Sequence, residues 1–118
     1  MKKKKLWNSK KADREFSLYI RARDKKCLVC GSKEYLQVSH FWGRLNSAVR
    51  YDEENCITLC AGCHFFYENE KQGRYRDFML KWLGEKRYNE LEKRAHSHKK
   101  RREVLKEVQE KLVGLSIN

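Results

Sequence analysis

The sequence contains no proline, so nothing in it breaks a helix by deleting a backbone donor. Long apolar runs are missing too. No stretch approaches the ~20 apolar residues that a membrane-spanning helix needs, and the basic start MKKKKLW leads into no apolar segment of signal-peptide length. The expectation is therefore a soluble, cytoplasmic chain with no membrane partner. Acidic residues are scarce beside basic ones: 16 Asp and Glu against 28 Lys and Arg, a net charge of +12. No internal repeat stands out beyond a faint heptad spacing near the C-terminus. What the sequence does hold is five cysteines in 118 residues. In a reducing compartment these point to metal binding more than to disulfides. A chain of this length forms one domain with a modest core, so a metal cross-link matters to it.

The charge is unevenly spread. Residues 1–26 carry eleven positive side chains and three negative ones, and residues 71–102 carry twelve and four. Residues 27–70, which hold every candidate ligand, carry three and six. A metal-ready centre between two cationic flanks suits a polyanion, and nucleic acid is the expected partner.

Along the chain, residues 1–8 read as a basic arm built on Lys2, Lys3, Lys4 and Lys5. Ser9 is placed to cap a helix over about 10–24, with Ala12, Phe16, Tyr19, Ile20 and Arg23 on one core-facing stripe. CLVCG forms a tight turn closed by Gly31. YLQVSHF at 35–41 alternates as a strand, with Leu36, Val38 and His40 on one face and Gln37 and Ser39 on the other. GRLNSAVRYDEE reads as a loop, NCITLC as a returning strand and AGCHFFYENEK as a helix. Gln72-Gly73 interrupts that helix. RYRDFMLKWLG resumes it, with Tyr75, Phe78, Met79, Trp82 and Leu83 on an apolar face and Gly84 as its stop. One long helix is expected from about Glu85 to Val113. Its heptad positions 91, 95, 98, 102, 105, 109 and 112 hold Leu, Ala, His, Arg, Leu, Gln and Leu. Such a seam favours a basic helix packed on its own domain or on DNA over a coiled coil, and it lends a homodimer little support. The resulting division is the arm at 1–8, a metal-stapled domain at 9–84 and a basic helical extension at 85–118.

Cys27-x2-Cys30 followed by Cys60-x2-Cys63 has the spacing of a structural zinc site, two sulfurs per knuckle and four thiolates per ion. A redox reading needs only one pair and a thioredoxin-like context, which is absent. Cys56 is spare and reads as a small buried residue of a strand. With the thiolates spent, His40, Asn55 and His64 remain as candidate functional residues. Hydrolysis of a phosphodiester needs a group to activate water, a cation to absorb charge on the phosphate, and fixed geometry. Neutral imidazole suits the first, histidine or asparagine can ligate a divalent ion, and an amide can pin a loop. Each of the three could equally be a packed or turn residue.

VSHF and ENCITLCAGCH, framed by the two C-x2-C pairs, resemble the HNH (His-Me finger) endonucleases. The cysteine-framed form is similar to endonuclease VII-like resolvases. The pattern His40-Phe41 with Arg44, the stretch VRYDEEN and the basic helix after the second knuckle are closer to the NinG (Rap) recombination nucleases of lambdoid phages. The likeness covers about residues 25–95. It implies an α+β, mostly helical fold with a ββα-metal core, stapled by zinc and flanked by N- and C-terminal helices. It also implies a phage or bacterial origin and a DNA endonuclease acting on branched intermediates such as Holliday junctions. His40 would be the general base, Asn55 would hold the loop around it, and His64 would ligate a catalytic Mg²⁺ or Mn²⁺ ion. Family members commonly carry Asp or His where this chain has Ser39, and Asn where it has His64. Ser39 and Asn69 are the candidates for a further ligand. Arg44 could clamp the scissile phosphate, with Arg50, Arg21, Arg23 and the lysines of the arm on neighbouring phosphates. The rival expectations are a non-catalytic zinc module that binds nucleic acid, a non-specific or sequence-specific HNH nuclease of duplex DNA, and a zinc-stabilised adaptor for proteins.

Overall fold

Asn8, one residue ahead of the expected cap, opens the first helix: its side chain accepts from the backbone N–H of Lys11 at 2.8 Å. Ser9 instead becomes the first helical residue, and its hydroxyl accepts from Arg101 at 2.8 Å. The computed structural model describes residues 5–117, so Lys2, Lys3 and Lys4 lie outside the described residues. The elements are α1 (Ser9–Asp24), β1 (Leu36–His40), β2 (Cys56–Cys60), α2 (Ala61–Asn69), α3 (Gln72–Leu83), α4 (Glu85–Ala95) and α5 (Arg101–Ile117), with two short 3-10 turns between the strands. The architecture is α+β and mostly helical. Among the described residues no helix is long and apolar enough to cross a membrane.

β1 and β2 pair antiparallel, with Leu36 opposite Cys60, Val38 opposite Thr58 and His40 opposite Cys56. Because side chains alternate, the two faces of this ribbon have different partners. Val38 and Cys56 meet Ala12, Phe16 and Ile20 of α1 together with Leu105 and Val108 of α5. Ile57 and Leu59 face the opposite way, into a larger cluster with Tyr67 of α2, Tyr75, Met79 and Leu83 of α3, and Leu91 and Ala95 of α4. Each fully buried Ile, Leu or Met contributes roughly 1.5–3 kcal/mol, so both clusters are needed to hold so thin a sheet in place.

These two clusters also explain where the expected long helix breaks. α4 ends at Ala95 and α5 begins at Arg101. Leu91 and Ala95 belong to one cluster, whereas Leu105 and Leu112 pack with the other, on the far face of the sheet. A straight helix could not bury both sets. At the break the Ser97 hydroxyl bonds the Arg94 carbonyl at 2.6 Å, a local side-chain bond that competes with helix continuation. The apolar heptad positions are therefore used within the chain. Gly84 stops α3 as expected, with φ of 82° that a side chain would strain.

Candidate active site and zinc centre

The knuckle Cys27–Cys30 follows α1, and Cys60–Cys63 spans the turn from β2 into α2. All four sulfurs lie within 4.8 Å of one another, and Cys30 Sγ is 3.6 Å from Cys60 Sγ. A tetrahedral zinc with Zn–S bonds of ~2.3 Å places its sulfurs about 3.8 Å apart, whereas a disulfide would need about 2 Å. The cluster therefore fits zinc. Burial pushes the Cys27 thiol up, but backbone N–H groups of Cys30, Cys60 and Val29 bring it down to about 7, toward the thiolate a metal requires. Gly31, at φ 81°, closes the first knuckle, and the N–H of Leu28 ties it to the Thr58 carbonyl of β2 at 3.0 Å. Cys56 is fully buried in β2, on the α1 face, and takes no part in the cluster.

His40 ends β1. Its Nε2 lies 2.9 Å from the backbone carbonyl of Arg50. A carbonyl only accepts, so Nε2 carries the proton and Nδ1 keeps its lone pair. Burial holds the His40 pKa down, to about 4, against the opposing pull of the Arg50 carbonyl. The ring is thus neutral at physiological pH. Asn55, fully buried, braces the loop that surrounds it. Its side-chain oxygen accepts from the Trp42 N–H at 2.8 Å, and its amide donates to the carbonyls of Trp42 and Val49, both at 3.0 Å.

His64 sits in the first turn of α2, whose start is fixed by Cys60 and Cys63. Its Nδ1 is 2.6 Å from Oε1 of Gln37, and its Nε2 is 2.7 Å from Oε1 of Glu68. With Nδ1–H donated to Gln37, the Nε2 lone pair would face a carboxylate oxygen. That clash is relieved when Nε2–H donates to Glu68 and the Gln37 amide turns its NH₂ toward Nδ1, or when a cation binds both side chains. Two ligands at ~2.1 Å from one hard cation, set at right angles, lie about 3 Å apart, close to the 2.7 Å of this pair, so His64 and Glu68 could together hold a divalent cation. Ser39, fully buried, bonds the Tyr75 hydroxyl at 2.6 Å and reaches Glu68 at 3.5 Å. It supports the carboxylate more than it offers a free ligand. Among the described residues no three His, Cys, Asp or Glu side chains other than the cysteines converge. An ion at His64 and Glu68 would complete its shell with water and phosphate oxygens.

Asn69 is not part of this pair. Its amide donates to the Phe65 carbonyl of its own helix at 3.0 Å. The reason is helical period: Glu68, four residues past His64, shares its face, while a fifth residue is turned about 140° away. Glu68 was therefore within reach of a sequence argument, through the i,i+4 rule.

His40 and His64 both line one cleft of about 780 Å³, with Glu68, Arg44, Arg76 and Tyr75. They belong to opposite faces of β1, since His64 pairs with Gln37 and alternation sets Gln37 apart from His40. Side chains from two faces can share a cavity only around an unpaired strand edge, and β1 pairs with β2 alone among the described strands. A smaller pocket of about 270 Å³ continues past His40 and Arg44 to Asp13 and Arg14 of α1.

The arginines divide. Arg44 is 61% exposed and, among the described residues, pairs with Asp13 at 2.9 Å. Arg50 is forked onto Asp13, and Arg23 bonds Asp24 and the carbonyls of Glu53 and Cys56. Both are committed to the fold, which leaves Arg44 the better phosphate candidate. Among the described residues Arg21 Nε donates to the Ser17 carbonyl at 3.3 Å, and the Lys5 carbonyl accepts from Gln109.

No curated protein and no solved structure matches the chain. The family described as "Bacteriophage Lambda NinG protein" matches residues 1–115, nearly its whole length. With the four-cysteine cluster in place, the chain belongs to the phage NinG family.

Proposed function

We propose that the protein is a metal-dependent DNA endonuclease of the HNH type that hydrolyses phosphodiesters in branched DNA, Holliday junctions included, during phage recombination. The observation that carries this reading is the shared cleft. His40, neutral and fixed through Nε2, lines the same cavity as the His64–Glu68 pair. His40 Nδ1 takes the proton from the attacking water. A divalent cation held by His64 and Glu68 supplies, when bound, positive charge for the phosphate and the departing 3′ oxygen. Arg44 exchanges Asp13 for the phosphate, and Asn55 keeps the loop from shifting as it does so. Zinc at the cysteines is a staple and takes no part in the chemistry.

The kinship with NinG supports branched DNA as substrate, and the +12 charge supports a polyanion. The test is cleavage of synthetic four-way junction, flap, linear duplex and single strand by zinc-loaded protein across a series of divalent ions. The expected result is ion-dependent cleavage that favours the branched forms. DNA binding without cleavage under any ion would instead make the protein a zinc-stabilised binding module. Absence of salt-sensitive DNA affinity would point to a protein adaptor. For ~6 neutralised phosphates log K should fall with log salt at a slope of about −5.

A further inference from the structure

Asp13 lies on α1, outside the strands and helix that build the cleft, yet four donors converge on its carboxylate. Oδ1 accepts from Arg50 Nε at 3.0 Å and from the Tyr51 hydroxyl at 2.8 Å. Oδ2 accepts from Arg50 Nη2 at 2.6 Å and from Arg44 Nη2 at 2.9 Å. Burial raises the Asp13 pKa, but the bonds from Arg50 and Tyr51 outweigh it and hold the carboxyl below its ordinary value. Phe16, on the next turn of α1, meets the Tyr51 ring edge-on at 5.6 Å. The segment 50–51 is thus fastened to α1 by side chains. The backbone there adds two long bonds, Arg50 N–H to the Ser47 carbonyl at 3.4 Å and Asp52 N–H to the Val49 carbonyl at 3.2 Å, and the Cys56 thiol lies 3.9 Å from the Arg50 carbonyl. The fastening matters because the Arg50 carbonyl is the group that His40 Nε2–H bonds.

We propose that Asp13 is a positioning residue for His40: by anchoring Arg50 and Tyr51 it holds the Arg50 carbonyl against Nε2 and so directs Nδ1 into the cleft. This rests on the reading of His40 as the general base. The chain of contacts runs from Asp13 through the Arg50 guanidinium to the Arg50 carbonyl and the imidazole. It makes the flanking helix α1 part of the site's geometry. Asp13 has a second effect on Arg44, which it restrains until a phosphate competes for the guanidinium.

The experiment compares wild type, Asp13→Ala, His40→Ala and the double variant, all zinc-loaded and full length, on the DNA substrate the wild type cleaves best. Asp13→Ala should lower kcat roughly tenfold, as loss of an orienting partner does. KM should not rise, because Arg44 is released. In the double variant the Asp13 change should add nothing to the loss caused by His40→Ala. NMR supplies a readout independent of turnover. The His40 Nε2 proton should be a slowly exchanging resonance in the wild type and be lost to solvent exchange in Asp13→Ala, with the rest of the spectrum kept. Should the alanine variant not fold, Arg50→Lys carries the same test, since lysine keeps the charge but cannot form the fork. Turnover within twofold of wild type, with the Nε2 proton retained, overturns the proposal. Normal cleavage by His40→Ala would instead overturn the general-base reading, while the Nε2 resonance still decides whether Asp13 holds the ring.

Discussion

The cysteine cluster and the His40–His64 cleft meet at the same turn, where β2 enters α2, but they are assembled by different means. The sulfurs arrive as two local pairs, three residues apart, and only one long-range approach is needed to join them. The cleft draws His40 from the end of β1, His64 and Glu68 from α2, and Arg44 from the loop between the strands. Its geometry depends on strand alternation, on helical period and on the pinning of a loop by Asn55. The first site is placed to hold the second: a metal at the four cysteines would fix the start of α2 and leave His64 little freedom to lose. If the cysteine cluster carries the stability and the cleft carries the proposed hydrolysis, separate perturbations should reveal the division.

Metal removal should have the largest effect. Structural zinc is worth roughly 10–16 kcal/mol in zinc-finger peptides, against about 5–15 kcal/mol for the stability of a whole domain. A chelator, or Cys60→Ser, should therefore abolish the cooperative melt seen by circular dichroism. Cys56→Ala should keep one zinc per chain. A fold that survives chelation would remove the hierarchy between the sites.

Loss of Glu68 should be silent in the fold and heavy in the chemistry. Glu68→Ala is expected to lower cleavage at limiting divalent ion by at least about tenfold with zinc content unchanged, while Asn69→Ala leaves the rate within twofold. The reverse ranking would return the second ligand to Asn69.

Asn55→Ala should weaken the loop that joins the two strands beside His40. It removes a buried amide with three bonds, leaves the Trp42 N–H without its acceptor and takes one donor each from the carbonyls of Trp42 and Val49, the latter keeping the Asp52 N–H. A loss of about 2–3 kcal/mol in denaturant unfolding is expected, and a loss under ~0.5 kcal/mol would show that the loop is held some other way.

The smallest effect belongs to the network on the far side, where Arg94 bonds Asp52 and Glu54. Burial raises the Glu54 pKa, but Arg87 and Arg94 outweigh it and the value is lowered from 4.5. A depressed carboxylate pKa stabilises the fold above the unfolded value and ceases to do so as pH falls through the folded one. Thermal stability should thus decline below pH ~4.5, by no more than about 1 kcal/mol for such part-exposed pairs. Arg94→Ala should flatten that decline, and an unchanged acid limb would contradict the assignment.

Local features were legible in the sequence. The C-x2-C pairs, the alternation around His40, Gly84 as a stop and the placement of His64 beside Cys63 all depend on neighbours within a few positions. The first cap was misplaced by one residue because Asn8 and Ser9 are both good caps. Glu68, rather than Asn69, shares a helical face with His64, and the i,i+4 spacing alone carries that relation. The break at 96–100 needed knowledge of two clusters on opposite faces of the sheet, which no local signal carries. Asp13 lay hidden for a similar reason: its partners Arg44, Arg50 and Tyr51 are 31 to 38 residues away. Arg23 and Arg50 looked like free cations because a sequence does not show which arginines a fold consumes.

The most direct measurement is single-turnover cleavage of a four-way junction by zinc-loaded wild type and His40→Ala, with binding measured on the same samples. Affinity should be equal in the two proteins, and the cleavage rate lower by about 10²–10⁴ in the variant. Equal cleavage by the two proteins, or binding without cleavage by either, would contradict the proposed function.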